Sequence, residues 1–187
     1  MMDTESKSLW SHLLGLGMEG KHKGVRLKTL PSDMLTWSAW KSEFPDTTVL
    51  NMSRTNRNYT DEFYKTPERF VVGFLGGHGM YHVSFATLRK TSVMNLDARG
   101  VAVVATFDSD STSARLFKRK LADRVLTFES VGKQQFKDKQ TGSTWDRSGK
   151  AVDGEMKGQT LVPHVGIISF RKAWMTFHPR SKELTLD

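Results

Sequence analysis

Two histidines, His78 and His82 in "HGMYH", are four residues apart. On a helix or a strand that spacing puts both imidazoles on one face, the beginning of a metal site. The zincin arrangement needs a Glu directly after the first His, and Gly79 stands there. Two ligands do not complete a zinc site, so the plain reading of a structural or exposed histidine is the stronger one. "GFLGGHG" is rich in glycine but lacks the Lys-Ser/Thr of a phosphate loop and the spacing of a dinucleotide fingerprint. It reads as a hairpin turn. Ser143 in "TGSTW" has no Gly-x-Ser-x-Gly elbow around it. It is better suited to bonding backbone in a turn, with Asp138 as an Asx-turn acceptor. No motif in the chain calls for a cofactor.

Composition narrows the classes further. The chain has 187 residues, 37% of them hydrophobic, with Phe 11, Trp 5 and Tyr 3. That is enough for one domain, or two small halves, with a core. There is no cysteine, which excludes disulfides, thiolate metal sites and thiol catalysis within this chain. The formal charge is +8. Its densest clusters, "FKRK" and "KQQFKDK", are short, and no nucleic-acid motif accompanies them. Anion or nucleic-acid binding through a basic surface is therefore the weakest of three functional readings. No apolar run is long enough for a membrane helix. "MMDTESKSLW" has none of the features of a signal peptide, and the compartment stays open.

Positioning elements are legible along the middle of the chain. "RFVVGFLGG" reads as a buried strand entering a turn, and "HGMYHVSFATLRK" as a strand followed by a helical turn or two. "GVAVVATFD" is the strongest strand signal, a β-branched run bounded by Gly and Asp. "SARLFKRKL" alternates, and "DRVLTFESVGKQQFKD" holds two short strands turning at Gly132. The expected class is mainly β or α+β, built on antiparallel pairing.

A long internal repeat frames these elements. Asp3, Ser8 and Trp10 correspond to Asp138, Ser143 and Trp145. One residue then drops out of the second copy. Gly15, Gly20, Lys23, Gly24, Leu27, Ala39, Trp40 and Pro45 go on to match Gly149, Gly154, Lys157, Gly158, Leu161, Ala173, Trp174 and Pro179. One gap serves the whole span, which points to a duplicated unit rather than a solenoid. In each copy a turn leads into a Trp strand. "GVRLKTLP" and "GQTLVPHV" read as short strands. A helix follows, with Asp33 or Thr36 as first-copy cap and Trp37, Trp40, Lys41 and Phe44 at helical spacing. Its counterpart carries Ile167, Phe170, Trp174 and Phe177, and the aromatic stripe is expected in the core. The division expected is a partial first unit over 1–50, a connector over 51–68 and a complete second unit over 69–187. A ligand pocket is expected where the units meet, with Trp10, Asp138, Ser143 and Trp145 as tentative contacts.

"DKQTGSTW", "WSAWKSEFPDTTVL" and "GHGMYHVSFATLRK" together resemble the domain of unknown function numbered 3179, over nearly the whole chain. Phe44 stands where that family usually has His. The resemblance implies no established activity. Many members carry Cys-Pro-Leu-Cys-Gly, or its selenocysteine form, after a β strand. Here "DSDSTSARLF" occupies that place, so no redox residue carries over. The comparison also implies that the first copy starts in the middle of its unit. The chain would then be the C-terminal portion of a longer protein, with the N-terminal half as its partner. Two readings thus lead: a noncatalytic binding or structural module, and a piece of a redox or metal-dependent enzyme whose centre lies elsewhere.

Overall fold

A computed structural model describes residues 1–49, 66–132 and 134–185. The expected connector over 51–68 lies outside them apart from residues 66–68. The described chain is mainly β, with short helices. It starts with β1 (Leu9–Ser11) and β2 (Leu16–Glu19), an antiparallel pair, followed by helix α1 (Trp37–Glu43).

The hairpin β3 (Phe70–Gly76) and β4 (Gly79–Ser84) comes next, then α2 (Phe85–Lys90). Strands β5 (Val93–Asp97), β6 (Ala102–Asp108) and β7 (Ser113–Lys118) make an antiparallel meander. The ribbon β8 (Lys120–Leu121) and β9 (Arg124–Val125) leads to β10 (Phe128–Ser130), β11 (Gln135–Asp138), β12 (Thr144–Asp146) and β13 (Ala151–Asp153), a second meander. Last come β14 (Gly166–Phe170), α3 (Arg171–Phe177) and β15 (Lys182–Glu183). Strand β14 adds antiparallel to β3, and β15 adds parallel to β4, giving the order β14-β3-β4-β15.

Strand β6 shows why the sheets stack. Its alternate residues Val103, Ala105 and Phe107 enter one apolar cluster with β3, β4, α2 and β5. Val104, on the opposite face, joins another with Phe117, Leu126, Phe128, Phe136, Trp145 and Leu161. A strand covered on both faces has no position to spare for a charge, which explains the unbroken run "VAVVATF". The helices close the ends. Ser84 caps α2, its Oγ accepting from Thr87 N at 3.1 Å. Trp174 on α3 lies directly over Gly73 of β3, where a Cβ would fall 2.2 Å from the indole. Only a glycine lets that ring seat on the sheet.

Some expectations are corrected. "GVRLKTLP" and "GQTLVPHV" are not strands; they run extended with isolated bridges at Arg26, Thr160 and Pro163. Ile167 and Phe170 belong to β14, and the second helix starts only at Arg171. The aromatic stripe is core only in part. Trp174 is fully buried, but Trp37 is 54% exposed and Phe44 and Phe177 are 42% exposed. The helix Arg171–Phe177 buries Trp174 alone, α1 buries no side chain fully, and Trp37, Phe44 and Phe177 face outward. Thr36, rather than Asp33, caps α1, accepting from Ala39 N at 3.4 Å.

Candidate functional site

Each copy of the repeat folds into the same polar knot. In the second, Trp145 Nε1 donates to Asp138 Oδ2 at 2.9 Å, and Thr141 N donates to Asp138 Oδ1 at 2.6 Å. Thr141 and Ser143 hydroxyls meet at 2.7 Å, and Ser143 Oγ accepts from Met156 N at 2.9 Å. In the first, Trp10 Nε1 donates to Asp3 Oδ2 at 2.9 Å and Ser6 N to Asp3 Oδ1 at 2.6 Å. Ser6 and Ser8 hydroxyls meet at 2.7 Å, and His22 N donates to Ser8 Oγ at 3.1 Å. Gly154 and Gly20 are required on two counts: both have positive φ, and a Cβ would strike the Ser143 and Ser8 backbones, at 2.7 and 2.9 Å. Burial pushes the Asp138 carboxyl up, but bonds from Trp145, Thr141 and Ser143 outweigh it and hold the group below 3.8. The Asp3 carboxyl is likewise held low, first by Trp10 and then by Ser6.

Asp138, Ser143 and Trp145 thus come together, all fully buried, with their polar atoms answered inside the knot. Trp10 belongs to the other knot. His78 and His82 do not make a pair. His78 sits exposed in the β3–β4 turn, while His82 lies within β4, 2% exposed. Among the described residues no group of three or more His, Asp or Glu is placed to hold a metal.

His82 instead joins a second shared arrangement. Trp174 Nε1 donates to Ser181 Oγ at 2.9 Å, and Ser181 Oγ meets His82 Nδ1 at 2.8 Å. His82 Nε2 faces Glu183, itself paired with Arg171, at 3.9 Å. A serine, an imidazole and a carboxylate in sequence suggest nucleophile chemistry. The first copy argues otherwise: Trp40 Nε1 donates to Thr47 Oγ1 at the same 2.9 Å. The hydroxyl anchors an indole in both copies, and its bond to the Trp turns a lone pair of the oxygen away from attack. Burial lowers the His82 pKa below 6.5, so the ring is neutral.

The arm from Pro31 to Phe44 and residues 72–168 enclose a cleft of about 420 Å³. Its walls are largely apolar: Phe44 from the arm, and Val72, Leu116, Phe117, Pro163 and Ile168 facing it. Arg115 on β7, 9% exposed at its side chain, reaches across. Its Nη2 lies 2.9 Å from Asp33 Oδ2 and 2.9 Å from Glu43 Oε2. Glu43 is also 4.0 Å from Arg147, which bonds Asp108 at 2.8 Å. His164 Nε2 donates to the Leu75 carbonyl at 3.1 Å, and burial keeps its pKa below 6.5. Around the cleft three carboxylates, Asp33, Glu43 and Asp108, thus share two guanidiniums, Arg115 and Arg147, beside a neutral imidazole. Glu43 and His164 carry no local sequence signal for this role. Arg115 gives only a hint, as a charge inside an otherwise buried strand.

A stack of small antiparallel sheets holding two copies of one Trp–Asp knot defines a duplicated, mainly β class of protein. The chain belongs to the family described as protein of unknown function (DUF3179), whose model matches residues 1–69 and residues 61–181. No curated protein and no solved structure matches it.

Proposed function

We propose that this chain is a noncatalytic binding module, and that it binds in the cleft between its two repeat units. It consists of the first unit over 1–50, the connector over 51–68 and the complete second unit over 69–187. The observation that carries this reading is Arg115, held by two carboxylates of the first unit at the mouth of an apolar cleft. Pockets favour such meeting places. The apolar walls suit a small hydrophobic body. The excess carboxylate charge suits an amine or guanidine head that shares Asp33 and Glu43 with Arg115. Trp10, Asp138, Ser143 and Trp145 serve by holding the knots that shape the units, without touching ligand.

Methyl NMR tests the reading, with benzylamine and benzoate as probes. Benzylamine should shift the Ala114, Leu116 and Ile168 methyls in a saturable way, and benzoate should not. If benzylamine leaves those methyls unmoved, or benzoate does as well as benzylamine, the cleft reading falls.

A further inference from the structure

The turns that follow the two repeat helices are alike in bonding and unlike in charge. After α3, Ser181 N donates to His178 O at 2.9 Å, and Ser181 Oγ accepts from the Trp174 indole. After α1, Thr47 N donates to Phe44 O at 3.1 Å, and Thr47 Oγ1 accepts from the Trp40 indole. The second turn carries His178 and Arg180, with Lys182 just beyond. The first carries Phe44, Asp46 and Thr48 at the same places. Cations past a helix C-terminus complement its dipole. Yet α1 ends in the same turn with none at these positions, so the turn itself does not call for them.

Strand β15 pairs with β4, Lys182 opposite Tyr81, which lays the second turn against the β3–β4 turn. A cavity of about 360 Å³ lies between them, lined by His78 and Gly79 on one side and by His178, Arg180, Ser181 and Lys182 on the other. Gly79 keeps it open, since nothing lies within 4 Å of where a Cβ would stand. No carboxylate among the described residues lines it. Glu183 follows Lys182 on a strand, so its side chain leaves the opposite face. It is held there by Arg171 at 2.7 Å, with His82 at 3.9 Å. Among the described residues neither Arg180 nor Lys182 pairs with an acid. His178 is fixed at the wall, its ring 4.2 Å from that of Trp174.

We propose that this cavity is an anion site, and that its ligand is a phosphate monoester. The Arg180 guanidinium offers a fork of donors to phosphate oxygens, and the Lys182 ammonium a mobile point charge. His78 and His178 add a donor each from either side. A phosphate monoester brings up to about two charges and three acceptor oxygens, which suits four basic groups better than a carboxylate does. The site shares no lining residue with the cleft, whose excess of carboxylates favours a cation. Either reading can fail without the other.

The test follows the His78 and His178 imidazole signals of the full chain by NMR while inorganic phosphate replaces chloride at fixed pH and ionic strength. Both signals should move along one saturable curve. Arg180→Asp combined with Lys182→Thr puts the residues of the first turn into the second, and the first turn folds with them. That variant should bind about tenfold more weakly or worse, the scale of losing two charged hydrogen bonds. His78→Ala, at an exposed turn position, should weaken binding without altering the second turn. Signals that stay still, move without saturating, or move equally in the double variant overturn the proposal. Glycerol 3-phosphate and vesicles bearing phosphatidic acid then separate a free ester from a lipid headgroup. Binding of either that the double variant loses supports the site and names its source. Refusal of both would leave inorganic phosphate as an adventitious ion only, which also overturns the proposal.

Discussion

Trp145 Nε1 lies 2.9 Å from Asp138 Oδ2, and the same bond joins Trp10 to Asp3 at the same length. The carboxylate also takes a backbone N–H and a hydroxyl, so one acid closes the turn and aims the indole. What differs is the load on each knot. Around Trp145 the bond is buried beneath aromatic rings; around Trp10 it is half in water. Trp145→Ala should cost about 3–5 kcal/mol, the range for deleting a large buried aromatic. Trp10→Ala should cost clearly less. Urea unfolding of the two variants decides, and equal losses would show that burial does not set the load.

Asp138→Ala leaves the Trp145 indole N–H and the Thr141 N–H without their buried acceptor. Each such orphan costs about 1–3 kcal/mol. Asp3→Ala should be the milder change, since water reaches its neighbours. Thermal melts of both variants give the comparison.

Gly154→Ala should destabilise by about 1–3 kcal/mol, the cost of a strained backbone conformation. Its φ is +89°, and the new Cβ would meet Ser143 Cα at 2.7 Å. Gly158, at φ +88° with open space around it, should suffer from the backbone alone. Gly158→Ala should therefore be the less damaging, and the reverse order by calorimetry would contradict the knot's close packing.

Acid should weaken the fold in two stages. Burial depresses the His82 and His164 pKa values below 6.5, partly offset by Glu183 and by the Leu75 carbonyl respectively. The unfolded chain then takes up protons that the folded chain refuses. Their contribution is complete above 6.5 and is lost as pH falls through the lower folded values. Asp138, held below 3.8, acts in the same direction at more acid pH: its contribution is present above 3.8 and lost below. Urea midpoints should fall on acidification from pH 7.5, and His82→Phe should flatten the first stage. An unchanged slope in that variant would place the loss elsewhere.

Arg115→Met should free the arm from Pro31 to Phe44 while the sheets stay folded. Charged hydrogen bonds of this kind contribute roughly 1.5–3 kcal/mol where well buried, and the partly exposed Asp33 and Glu43 lower that figure. Limited proteolysis should cut the arm first. Cleavage no faster than in the unchanged protein would mean that the arm is held by Met34 and its apolar contacts alone.

Much of the fold is legible in the residues themselves. The β-branched run of β6 announces a strand, and the paired Trp and Gly positions announce the duplication. Asp33 and Thr36 both offer a cap for α1, and the structure uses Thr36. The limits are physical too. The stripe of Trp37, Trp40 and Phe44 has the period of a buried helix, yet α1 has seven residues and presents mostly surface. Strand β15 pairs parallel to β4 through two residues, Lys182 and Glu183, which have no strand pattern. The cleft was the least legible part. Arg115 and Asp33 are 82 residues apart, and nothing local to either predicts the contact. The duplicated Asp, Ser and Trp have the residue types of a chemical site. In the structure those groups spend their hydrogen bonds on each other.

The binding claim is tested most directly by closing the cleft from its rim. Ser32 is exposed on the arm and lines the opening, so Ser32→Trp fills the space without touching the core. Calorimetric titration with benzylamine should show saturable binding to the unchanged protein and at least a tenfold loss, about 1.4 kcal/mol, in the variant. Equal binding by both proteins, or none by either, would contradict a ligand seat between the two repeat units.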